Sequence, residues 1–136
     1  MSGHILKTVL YVEDDKDIQT IGKITLESFG NFNVVMCNSG KEALEKIKDV
    51  NPDLVLMDVM MPEMDGITAM MEFKKDTELS EIPVIFMTAK AQVHEVEKYN
   101  KIGVAGVIIK PFDPVQLCPQ INEIWEKFYA KSTVRV

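Results

Sequence analysis

Four apolar, largely β-branched runs in this chain each end on a residue able to do chemistry. Val9-Leu10-Tyr11-Val12 runs into Glu13-Asp14-Asp15, Leu54-Val55-Leu56-Met57 into Asp58, Val84-Ile85-Phe86-Met87 into Thr88, and Val107-Ile108-Ile109 into Lys110. Strands that are apolar at consecutive positions are buried on both faces, which calls for a parallel sheet with helices on either side. In such open sheets ligands sit beyond the carboxyl ends of the strands, at the switch point of the topology. Residues 13–15, 58, 88 and 110 are therefore expected at one sheet edge. Periodicity alone leaves the strand order open.

Five strand/helix units follow, with strands at about 8–12, 32–36, 53–57, 83–87 and 105–109. The first helix is expected from Asp15 toward Phe29, stopped by Gly30. Ser39 and Glu42 form a capping box for the second, whose apolar stripe is Ala43, Leu44 and Ile47. Pro62 and the Asp65-Gly66 turn precede a third helix through Phe73, and a weaker fourth covers about 91–100, ended at Gly103. Asp113-Pro114 supplies an N-cap and an N1 proline for the last helix, which carries Val115, Leu117, Ile121, Ile124, Trp125 and Phe128. Pro119, lacking an N–H, is expected to bend or loosen its first turns, and the tail after Ala130 to fray.

A length of 136 residues predicts one domain, 1–136 with a core of about 7–129, able to bury about two-thirds of its unfolded surface. A net charge of −6 argues against direct nucleic-acid binding, which needs a basic face. Cys37 and Cys118 have neither metal nor redox spacing, and two lone thiols suit a reducing, cytoplasmic location. The longest apolar stretch, 103–109, is far short of the ~20 residues that span a bilayer, so no membrane role is expected. The N-terminus lacks the apolar core of a signal peptide.

Asp58 taken alone reads equally as a turn former or as a nucleophilic carboxylate that accepts a phosphoryl group. Asp15 reads as a helix N-cap. If the first and third strands are neighbours, Glu13, Asp14 and Asp58 crowd three negative charges together and raise one another's pKa values. Mg²⁺ relieves this, because it takes one or two carboxylates and keeps waters for phosphate oxygens. No Cys or His lies nearby in sequence, which disfavours zinc. Lys110 reads either as a solvated strand stopper or as the positive charge a phosphoryl oxygen needs. Thr88 reads either as an ordinary strand-end residue or as a hydroxyl able to hydrogen-bond a phosphate that forms on Asp58. His4 falls in the N-terminal segment and His94 on a solvated helix face, so neither suggests catalysis.

With these residues in view, the sequence resembles the receiver domain of two-component response regulators. The matching blocks are 9–15, 52–66, 82–91 and 106–114, in order and at family-like separations, and the resemblance covers residues 7 to about 129. It implies a flavodoxin-like, doubly wound five-stranded sheet of order 2-1-3-4-5. It also implies Asp58 as phosphoacceptor, Glu13 and Asp14 as the acidic pair, and the Met60 carbonyl as a further Mg²⁺ ligand. Thr88 becomes the switch hydroxyl, Lys110 the phosphate-binding lysine, and the Lys110–Pro111 bond is expected cis.

Two residues depart from the family pattern: Glu13 stands where Asp is common and reaches one methylene further, and Val107 stands where Tyr or Phe often turns inward on activation. Met60 and Lys90 occupy positions that tune phosphoryl lifetime in the family.

The resemblance implies a chain that takes a phosphoryl group from a histidine kinase or histidine phosphotransfer protein and then switches a face toward a downstream protein target. A phosphorylation-dependent dimer is a possible form of that output. Such a chain modifies only itself and is not an enzyme. The alternative is a protein-interaction module on the same fold that takes no phosphate. A true phosphatase needs a second Asp two residues past the nucleophile, where this chain has Met60.

Overall fold

The computed structural model describes residues 5–134, with side chains described to Ala130. Strands β1 (Thr8–Val12), β2 (Asn33–Cys37), β3 (Leu54–Asp58), β4 (Val84–Thr88) and β5 (Gly106–Ile109) alternate with helices α1 (Lys16–Gly30), α2 (Gly40–Val50), α3 (Gly66–Lys74), α4 (Val93–Lys101) and α5 (Pro114–Val134). All pairings are parallel, in the order β2-β1-β3-β4-β5 expected from the resemblance.

Continuous apolar strands feed both faces of this sheet because successive side chains point to opposite sides. Leu10, Val12, Val55, Met57, Val84 and Phe86 pack with Ala43, Ile47, Ala69, Phe73 and Tyr99 from α2, α3 and α4. Val9, Tyr11, Leu54, Leu56, Ile85 and Met87 face the other way, against Leu26 of α1 and Leu117, Ile121 and Trp125 of α5. The three central strands are the most buried, and β2 and β5 form the partly exposed edges.

Several boundaries differ from the sequence reading for physical reasons. The third and fourth strands lie one residue further on, so Asp58 and Thr88 are the last residues of β3 and β4, held in register with Met87 and Ile109. Pro83 stays outside β4 and contributes only its carbonyl, accepting from Val55 N–H at 3.0 Å. Helix α1 includes Gly30 and is closed instead by Asn31 in the left-handed region, φ 55°. Gly30 is needed for packing: a Cβ there would lie 2.6 Å from the Phe32 ring and 2.9 Å from Cys118 Sγ.

The Ser39 hydroxyl caps α2 as expected, but Glu42 reaches back to the Asn38 N–H rather than to that of Ser39. Helix α5 runs through Pro119 and on past Ala130 to Val134, so neither the proline nor the weak terminal pattern ends it. Burial of Leu117, Cys118 and Ile121 on both sides of the proline holds the segment helical. The expected loose ends at 1–4, with His4, and at 135–136 lie outside the described residues.

Candidate functional site

The residues read from the sequence converge at the carboxyl edge of the sheet. Glu13 continues β1, donating its N–H to the Cys37 carbonyl at 3.0 Å, and is fully buried. Its Oε2 accepts from the Asp15 N–H at 3.1 Å and its Oε1 from Lys110 Nζ at 3.1 Å. Asp58, only 3% exposed, accepts from the Met60 N–H on Oδ1 at 3.3 Å and faces Lys110 Nζ with Oδ2 at 3.4 Å. Asp14 is exposed, and Glu13, Asp14 and Asp58 each bring a carboxylate oxygen within 4.8 Å of the others.

The backbone around Asp58 is fixed from both sides. Val59 N–H donates to the Met87 carbonyl at 3.1 Å, and Gly66 N–H returns to the Val59 carbonyl at 2.9 Å. That return leaves no room for a side chain, because a Cβ on Gly66 would lie 2.6 Å from the Asp58 carbonyl oxygen. Lys110 is placed by its own N–H, which donates to the Thr88 carbonyl at 2.9 Å, and it precedes a cis peptide bond to Pro111, as expected.

Two buried carboxylates, Glu13 and Asp58, share one ammonium here, and their titration directions follow. Burial raises the Glu13 pKa, an effect that its bonds from Asp15 and Lys110 oppose but do not cancel. Asp58 is also raised, by burial first, with Lys110 and the Met60 N–H pulling the other way. Burial would lower Lys110, but its bond to Glu13 and the charges of Asp58 and Glu13 outweigh that and raise it. A site in which Glu13 and Asp58 are held above their usual range while Lys110 is held charged lacks positive charge. All-oxygen donors around that deficit are the donor chemistry of a hard dication such as Mg²⁺.

Thr88 is fully buried, and its Oγ1 accepts from the Lys90 N–H at 2.9 Å. Met60 reaches Asp58 through its N–H, while its side chain points to solvent, 56% exposed.

Sequence reasoning missed the polar frame around this cluster. Gln19 donates to the Glu13 carbonyl and, at 2.8 Å, to Asn38 Oδ1, which also takes Lys16 Nζ at 2.6 Å. These three residues come from α1 and the loop after β2, and no spacing in the sequence marks them as partners. Tyr11 was missed too: it lies two positions before Glu13 along β1 and so on the same face of the sheet, and burial, then the charges of Glu13 and Asp58, push its pKa up.

Known proteins resemble this chain in sequence and fold. The chain is 41% identical over 105 residues to the transcriptional regulatory protein ZraR of Escherichia coli, covering 77% of this chain and 23% of ZraR. It is 30% identical over 118 residues to the alkaline phosphatase synthesis transcriptional regulatory protein PhoP of Bacillus subtilis, covering 87% of this chain and 48% of PhoP. The chain thus spans less than half the length of these curated relatives. Among solved structures, the chemotaxis response regulator CheY4 of Vibrio cholerae superposes with a TM-score of 0.81 at 25% identity, over 88% of this chain and 99% of that one. Residues 9–122 match the response regulator receiver domain, and the chain belongs to that family.

Proposed function

We propose that this chain is a single receiver domain that takes a phosphoryl group on Asp58 and thereby switches a protein-binding face. The observation that carries this reading is Asp58 itself. It is a buried carboxylate at the end of a rigid strand, 3.4 Å from Lys110 and beside two further carboxylates. Glu13, Asp14, Asp58 and the Met60 carbonyl would hold Mg²⁺. When bound, the ion supplies positive charge to the phosphoryl oxygens.

The chain's own residues do the rest. Met60 N–H and Lys110 Nζ each hold one oxygen of Asp58, which fixes the plane of the nucleophile before the donor arrives. A carboxylate oxygen of Asp58 forms the new bond to phosphorus, the phosphorus–nitrogen bond of a phosphohistidine breaks, and the electron pair leaves on the imidazole nitrogen. Lys110, held charged, faces the oxygens of the incoming group. Thr88 can then turn its hydroxyl to one of those oxygens, giving up the bond from Lys90. The reaction consumes no turnover substrate, so the chain is a signalling module that modifies itself rather than an enzyme.

The donor is a sensor histidine kinase or a histidine phosphotransfer protein, and the output passes to a downstream protein or to a phosphorylation-dependent dimer, with no direct nucleic-acid contact. ZraR and PhoP are transcriptional regulators by name, which supports gene control as the destination of the signal. No helix among the described residues is long and apolar enough to cross a membrane.

The test is intact mass after incubation with a small-molecule phosphodonor and with a phosphohistidine donor, with and without Mg²⁺. A Mg²⁺-dependent adduct of one phosphoryl group is expected in the wild type, absent in Asp58→Asn and in Lys110→Ala. An undiminished adduct in Asp58→Asn, or no adduct from either donor in the wild type, would refute the assignment.

A further inference from the structure

Helix α4 reaches the core of the molecule through one buried ring. Of its residues only Tyr99 is buried, at 3% exposure, while Val93 at its start is 77% exposed. That ring makes two contacts that straddle Thr88. It packs edge-on against Phe86, two residues before Thr88 on β4, with centroids 5.3 Å apart and planes at 84°. Its hydroxyl donates to the carbonyl of Lys90, two residues after Thr88, at 3.2 Å.

Lys90 is therefore clamped on both sides: its N–H lies on Thr88 Oγ1 and its carbonyl takes the Tyr99 hydroxyl. The two bonds share one Cα, so the backbone cannot reorganise at one without disturbing the other. The strand beside β4 leaves this role open, because the residue in register with Phe86 on β5 is Val107, which carries neither a ring nor a hydroxyl.

We propose that Tyr99 is the positioning residue that carries the state of Thr88 to helix α4. Resting on the acceptor reading of Asp58, the sequence of events is short. Thr88 turns its hydroxyl to the phosphoryl group and releases the Lys90 N–H. The Lys90 carbonyl then moves relative to the Tyr99 hydroxyl, and the only buried anchor of α4 shifts along Phe86. A change of one hydroxyl at the sheet edge thus becomes a displacement of the whole helix. The chain reads its own activation through an aromatic residue on α4 rather than through one on β5.

Amide shifts of the ¹⁵N-labelled full chain, with Mg²⁺ and with or without beryllofluoride as phosphoryl mimic, test this in the wild type and in Tyr99→Phe. The Phe variant keeps the ring against Phe86 and removes only the hydroxyl bond. In the wild type, beryllofluoride is expected to shift Thr88, Lys90 and the α4 amides from Val96 to Lys101. In Tyr99→Phe the shifts at Thr88 and Lys90 persist and those in α4 are lost, while its spectrum without the mimic still shows α4 as helix. Full-size α4 shifts in Tyr99→Phe would overturn the relay alone, as would a wild type in which Thr88 shifts and α4 does not. A wild type in which Thr88 itself fails to respond would overturn the acceptor reading, and the relay with it.

Discussion

Asp58 and Glu13 are kept in the sheet edge against their own electrostatic interest. Both carboxyls are raised above their usual range, and in both burial is the first cause, with Lys110 too little to reverse it. A group whose folded pKa lies above its unfolded one favours folding while it is protonated; that contribution is full below the unfolded pKa and is lost as pH rises through the folded pKa. Near neutral pH these acids therefore carry a stability cost that a neutral isostere avoids, and Asp58→Asn keeps the shape while Lys110 retains Glu13 at 3.1 Å. In the presence of a chelator at pH 7, Asp58→Asn is expected to unfold roughly 3–6 °C above the wild type, equivalent to about 1–2 kcal/mol for a chain of this size. The gap should narrow as pH falls and the wild-type carboxyl takes up its proton. Thermal melts of both proteins across that range check it, and a variant less stable than the wild type at pH 7 would contradict the burial argument.

At the scale of elements, helix ends were the least legible part of the sequence. Gly30 looked like a helix stop because glycine tolerates the left-handed region, yet the structure uses its missing Cβ to admit the Phe32 ring and Cys118. Asparagine closes α1 and α2 instead, at Asn31 and Asn51. Asn51 has φ 49°, and its N–H donates to the Ile47 carbonyl at 2.8 Å. Asn tolerates that region better than Ala does, and Gly better still. Asn51→Ala should therefore cost about 1 kcal/mol in urea denaturation, and Asn51→Gly should recover most of it. Equal stability of the Ala and Gly variants would show that the backbone there is not constrained. Helix α4 was hard to read for a related reason: Val93, Val96 and Tyr99 suggest a weak apolar stripe, but only tertiary packing decides that Tyr99 is its single buried anchor.

The whole molecule was more legible than its parts. Consecutive apolar runs imposed a parallel sheet, and the parallel sheet gathered Glu13, Asp14, Asp58, Thr88 and Lys110 at one edge before any distance was known. The balance of charge at that edge lay beyond the sequence, because it depends on how deeply each carboxyl is buried and on which oxygens Lys110 reaches. That balance predicts a whole-molecule response to metal. An ion that binds the folded cluster and not the unfolded chain stabilises by mass action, by about 2.7 kcal/mol at a hundred times its dissociation constant. The wild-type melting temperature should therefore climb with Mg²⁺, while that of Asp58→Asn, higher at the start, should climb far less, so the two curves converge or cross. Asp14 is exposed, so Asp14→Ala leaves the fold intact and isolates the ligand role: it should melt near the wild type in chelator and gain little from Mg²⁺. Melting temperatures of all three proteins titrated with Mg²⁺ decide the point, and a wild type indifferent to the ion, or an Asp14→Ala that follows it fully, would remove Mg²⁺ from this site.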